Sequence, residues 1–84
     1  MSGDDSMHEL IELARRLGIA VRHAHLGGDG GGMAVVKGLR QLFIDLDASP
    51  EDQLGRTAGA LGRLNDLEQV FIRPDLRDLL ERHA

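Results

Sequence analysis

The sequence predicts an α+β domain in which an N-terminal helix leads into a three-stranded, mainly antiparallel sheet and two further helices close the chain, an αβββαα order. Three observations predict it. Apolar residues recur with the 3.6-residue period of a helix up to Leu17, switch to the two-residue period of a strand after Gly18, and return to the helical period after Ser49. Lys37-Gly38 separates two apolar runs, which is a hairpin cue. Ser49-Pro50 and Pro74 open their segments as helix N-termini do. At 84 residues the chain is expected to form one domain with a small core.

Met1 to Asp5 read as a short, flexible polar lead. Ser6 and Glu9 have the spacing of a capping box, so the first helix is expected to start there. Met7, Leu10, Ile11, Ala14 and Leu17 form its apolar stripe, and Gly18 suits the left-handed position that ends it. Ile19 to Leu26 reads as the first strand, with Ile19, Val21, His23 and His25 on one side and Ala20, Arg22, Ala24 and Leu26 on the other. The run Gly27-Gly28-Asp29-Gly30-Gly31-Gly32 loses much backbone entropy on ordering and is expected to be a mobile loop. Met33 to Val36 and Leu39 to Leu46 are the second and third strands, paired antiparallel. In the third, Leu42, Ile44 and Leu46 share one face and Gln41, Phe43 and Asp45 the other. The second helix has Ser49 as N-cap, Pro50 at its first position, Glu51 and Asp52 where the dipole favours acids, a stripe of Leu54, Ala58, Leu61 and Leu64, and Asn65 as C-cap. Val70-Phe71-Ile72 links it to a last helix that docks through Leu76, Leu79 and Leu80.

Hydrophobic residues at 42% and charged residues at 29% describe a folded domain and exclude a disordered tail. Ten Lys and Arg against 14 Asp and Glu leave a net charge of −4, so the basic field of a phosphate-backbone binder is missing and no direct contact with nucleic acid is expected. The absence of cysteine removes disulfides, thiol nucleophiles and cysteine metal sites. No apolar run reaches the ~18 residues needed to cross a bilayer, and the N-terminus is acidic where a signal peptide is basic. No membrane partner is expected, and a cytoplasmic placement is the simplest.

Four constellations bear on chemistry. The glycine run suggests backbone amides around an oxyanion, but it lacks G-x-G-x-x-G and a following Gly-Lys-Ser/Thr, and it leads into a strand instead of a helix N-terminus. His23 and His25, one residue apart on a strand, point the same way and could share a metal ion if a third ligand joined them. Asp45, Asp47, Glu51 and Asp52 begin like a calcium loop, yet Pro50 and Arg56 stand where that loop needs Gly and Glu, so turn, cap and dipole roles explain them. Gly55, Gly59 and Gly62 lie inside the second helix, each at about 1 kcal/mol relative to Ala, and line one side as a bare groove. Either the rest of the chain fills that groove or a partner does.

Leu13 to Val21, then Leu42-Phe43-Ile44-Asp45, then Ser49-Pro50-Glu51 together resemble a shortened ImmA/IrrE-type metallopeptidase domain over roughly residues 8 to 64. The resemblance implies a helix, a small sheet and a capped helix leading to a zinc-binding H-E-x-x-H. That signature falls on Gly59-Ala60-Leu61-Gly62-Arg63, so Gly59 and Arg63 replace both histidines and Ala60 replaces the glutamate. What it implies here is a scaffold without its metal chemistry. The stretch from Asp66 to Glu81 also resembles that of small bacterial proteins, which names no function.

The function expected from the sequence is a non-catalytic protein-interaction or scaffold module, self-associating or a small subunit of a larger assembly, with no cofactor. Its partner surface would use Gln41, Phe43 and Asp45 on the open sheet face, or Gly55, Gly59 and Gly62 on the second helix. One alternative is a metal-binding sensor or metal-dependent enzyme built on His23 and His25. Another, resting on the ImmA/IrrE resemblance, is a regulator of a DNA-binding partner.

Overall fold

In the computed structural model, which describes residues 3–84, the chain runs α1 (Gly3–Arg16), β1 (Ala20–Ala24), β2 (Gly32–Val36), β3 (Leu39–Asp45), α2 (Pro50–Gly62) and α3 (Pro74–His83), with a 3-10 turn over Asn65–Gln69. The expected order of one helix, three strands and two helices is the observed one. The first helix starts earlier than its capping box, so Asp5 and Ser6 lie within its opening turns and Met1 and Ser2 of the expected polar lead fall outside the described residues. Glu9 forms an ion pair with Arg73 at the head of α3. Gly18 ends α1 as anticipated. It has φ +77° and donates its N–H to the Arg15 carbonyl, while Ile19 N–H reaches the Ala14 carbonyl at 2.9 Å, the bond pair of a Schellman motif. At the far end of α2 the C-cap is Arg63, and Asn65 instead opens the 3-10 turn.

The sheet order is β1-β3-β2, with β3 in the centre. β2 and β3 form the expected antiparallel hairpin, and Lys37 and Gly38 both have positive φ (53° and 79°) as a type I′ turn requires. β1 lies parallel to β3, with Val21 beside Leu42 and Ala24 beside Asp45. A parallel pair cannot be joined by a tight turn. Here the connection is the glycine run together with β2, and it must pass from one edge of the sheet to the other across the end of β3.

α1 and α2 pack on the face of the sheet that carries Leu42, and α3 packs on α2 and α1. Leu10, Leu13 and Ala14 of α1, Ala58 and Leu61 of α2, and Leu76, Leu79 and Leu80 of α3 join Leu42 in one core, with Met33 and Val21 packed against it. Leu13, outside the anticipated stripe, is among the most deeply buried residues. The 3-10 turn is tied down by Arg40, which pairs with Asp66 at 2.8 Å and donates to the Leu17 carbonyl at 2.9 Å. The result is a molecule of 33 × 33 × 18 Å with helices on one face of the sheet and, among the described residues, no helix on the other.

The glycine groove of α2 is filled by α3. A Cβ at Gly62 would stand 2.6 Å from the Leu80 carbonyl oxygen, and one at Gly59 2.7 Å from the His83 carbonyl oxygen. Side chains there would force the helices apart, so the propensity cost of these glycines is exchanged for backbone contact. At Gly55 the nearest atoms are those of the His83 ring, at an ordinary 3.4 Å. Gly62→Ala is therefore expected to destabilise the fold by roughly 1–3 kcal/mol although alanine is the better helix former. Gly55→Ala is expected to be neutral or stabilising. Thermal unfolding followed by far-UV circular dichroism, suited to a chain without Trp or Tyr, separates the two.

Candidate functional site

A network of backbone donors is built around Asp45, the last residue of β3. Its side chain is on the strand face opposite Leu42 and Ile44, where the glycine run crosses, and it is only 2% exposed. Leu26 and Asp47 donate their backbone N–H groups to Oδ1, each at 2.9 Å, and Gly28 and Gly30 donate theirs to Oδ2 at 2.7 and 2.9 Å. A carboxylate buried without donors would be costly, and this one has its two oxygens matched by four. Burial pushes the carboxyl up, but the four N–H donors outweigh it and hold it at about 2.

Two glycines are indispensable to this cradle. Gly28 has φ +98°, a conformation that L side chains rarely adopt. A Cβ at Gly30 would lie 2.6 Å from the Leu26 Cβ and 3.3 Å from Asp45 Oδ2. From outside, Arg56 of α2 donates through Nη1 to the Gly28 and Gly30 carbonyls at 2.7 and 2.9 Å, so the loop is held from both sides. The expected mobile loop is thus a bonded one. Its amides do surround an anion, and that anion is the chain's own Asp45.

Asp47 continues the arrangement. It accepts the Gly27 N–H through Oδ2 at 2.9 Å, and its Oδ1 lies 2.8 Å from His25 Nδ1 on the exposed flank. These contacts with His25 and Gly27 hold its carboxyl below the ordinary carboxylate value. Ser49 caps α2 as expected, its Oγ accepting the Asp52 N–H at 3.1 Å.

The anticipated site residues therefore separate. His25 is engaged with Asp47, and His23 lies on the edge strand in register with Ile44. Among the described residues no group of three His, Cys, Asp or Glu side chains could hold a metal ion, so the third ligand that the His23 and His25 pair requires is not brought to them. Asp45 is withdrawn from any partner surface because the glycine loop covers it. Gly59 and Gly62 are withdrawn because the α3 backbone fills their groove, while Gly55 stays half-buried beside the His83 ring. Gln41 and Phe43 stay on the helix-free face, half-buried by their neighbours.

That face has a definite relief. Leu39, Gln41 and Phe43 run along the central strand as a ridge. By register Ala20 and Arg22 flank the ridge on β1, and Val36, Ala34 and Gly32 flank it on β2. Leu39 is 68% exposed and Val36 42%. Leu39 was legible in the sequence, since it alternates in phase with Gln41 and Phe43. Among the described residues no helix is long and apolar enough to cross a membrane. No family model, curated protein or solved structure matches the chain.

Replacing Asp45 tests the cradle. Asp45→Asn keeps the shape but turns one oxygen into a donor facing donors, and the melting temperature is expected to fall by roughly 10 °C. Because the folded-state pKa of Asp45 is depressed, its stabilisation is present above the ordinary carboxylate value and is lost as pH falls towards about 2. The wild-type chain should lose stability over the window from about pH 4 to pH 2, and the Asn variant should lose distinctly less there.

Proposed function

We propose that this chain is a non-catalytic interaction module whose partner is a second copy of itself, docked through the helix-free face of the sheet. The observation that carries the proposal is the ridge of Leu39, Gln41 and Phe43 on that face, flanked by Ala20 and Arg22 on β1 and by Val36, Ala34 and Gly32 on β2. Leu39 and Phe43 on the centre strand, beside the small Ala20, Ala34 and Gly32, make a surface that can pack on a second copy of itself about a two-fold axis, with Arg22 on the β1 edge and Val36 on the β2 edge. Two such sheets pack face to face about 10 Å apart, which would give a dimer with its apolar face inside.

The chemistry of the chain supports a binding role. If the ImmA/IrrE resemblance is one of scaffold, the positions of its zinc ligands hold Gly59 and Arg63, and Gly59 lies against the His83 carbonyl with no space for an imidazole. The carboxylate with the most perturbed pKa, Asp45, is consumed by its own loop. Three short strands offer well under the ~800 Å² per partner of a standard interface, so the dimer is expected to dissociate on dilution.

Size-exclusion chromatography with light scattering and refractive-index detection, over a concentration series, tests this. The molar mass should climb from the chain's 9.2 kDa towards twice that value as concentration rises. Phe43→Ser and, independently, the exposed Leu39→Ser should keep the mass at the monomer value while the circular dichroism spectrum stays native. A wild-type mass that never leaves the monomer, or a dimer indifferent to both substitutions, overturns the proposal.

A further inference from the structure

A second feature, independent of the sheet face, lies between the start of β2 and one side of α2. Here Gly31, Gly32 and Met33 form one wall of a solvent-open cleft of about 540 Å³, and Arg56, Ala60 and Arg63 form the other. Its volume is that of a small-molecule site. Arg56 and Arg63 are seven residues apart, two helical turns, and so occupy the same side of α2 as Ala60.

The charge of this cleft runs against that of the molecule. The chain carries a net −4, yet the lining has two guanidinium groups and no carboxylate. The two cations differ in how they are used. Arg56 is anchored, with Nη1 on the Gly28 and Gly30 carbonyls and Nη2 3.5 Å from Asp52. The Arg63 guanidinium has no hydrogen bond or ion pair among the described residues, while its backbone N–H donates to the Leu61 carbonyl, and Nη2 lies 3.4 Å from where a Gly59 Cβ would be. A positive charge at the C-terminus of α2 complements the helix dipole. That accounts for a cation at this position but leaves the guanidinium donors of Arg63 without a carboxylate or phosphate.

We infer that the cleft binds an oxyanion attached to a small apolar body. Arg63 would supply a planar fork of N–H donors, Arg56 a second guanidinium fixed in place beside Asp52, and Met33 and Ala60 apolar surface on the two walls. A phosphate monoester and a carboxylate share this chemistry, and the two are separated by experiment. The Asp45 cradle enters only indirectly. Arg56 stabilises the glycine loop and lines the cleft, so the cleft wall inherits the loop's order.

The test is a titration of uniformly 15N-labelled protein with phenyl phosphate, benzoate and inorganic phosphate, read from amide chemical shifts. Phenyl phosphate or benzoate should shift Gly31, Gly32 and Gly59 saturably, with a dissociation constant of about 1 mM or tighter. Arg63→Gln should weaken that binding about tenfold or more, and Arg63→Lys should fall between because it keeps the charge and loses the fork. Stronger binding of phenyl phosphate assigns the site to phosphate esters, and stronger binding of benzoate assigns it to carboxylates. The inference is overturned if no probe saturates, or if the shifts are the same in Arg63→Gln, which stays folded because Arg63 holds no other element in place. Repeating the titration in the Phe43→Ser variant should leave the affinity unchanged, so failure of the dimer proposal does not alter the outcome.

Discussion

Four backbone N–H groups converging on the carboxylate of Asp45 are the constraint from which the rest of this fold follows. The parallel pairing of β1 with β3, with β2 on the far edge, obliges the chain to carry its connection across the end of the central strand. A connection that passes close to a strand end would bury amide groups with no ladder to join. The two oxygens of Asp45 take three of them, from Leu26, Gly28 and Gly30, together with the Asp47 N–H that follows β3, and Arg56 takes two of the loop's carbonyls. The glycines that make the run entropically expensive are the residues that let it approach so closely.

A second close approach, between α2 and α3, answers the other group of glycines. Gly59 and Gly62 bring the helix backbones together at the carbonyls of His83 and Leu80, which seats α3 on α2. In a chain this small α1 and α2 are spent on one face of the sheet and α3 on the two of them. Functional readings concentrate on the two surfaces that this economy leaves: the ridge of Leu39, Gln41 and Phe43, and the cleft beneath Arg56 and Arg63.

Much of this was legible residue by residue. Gly18 ends α1, Ser49 caps α2, Lys37-Gly38 turns the hairpin, and Leu76, Leu79 and Leu80 dock α3, because each of these depends on local stereochemistry or periodicity. The start of α1 was not, because a capping-box pattern at Ser6 and Glu9 looks the same whether it begins a helix or lies inside one. The site was less legible still. His25 and Asp47 are 22 residues apart and Arg56 is 28 from Gly28, and no local pattern announces either pairing. Asp45 alternates in phase with Phe43 and so reads as a surface residue. It is buried only because another segment of the chain crosses over it.

By itself, then, the sequence determined the elements, their order, the antiparallel hairpin and the apolar stripes, since these are set by neighbours within about one or two turns of chain. The tertiary structure alone decided that β1 joins β3 in parallel, that the glycine loop closes on a carboxylate of its own chain, and that α3 occupies the groove of α2. Each of these is a contact between residues distant in sequence, and its free energy exists only when the crossing geometry brings them together. The same glycines would serve equally well in a mobile loop or an open groove; what selects between those states is the partner that the fold delivers to them.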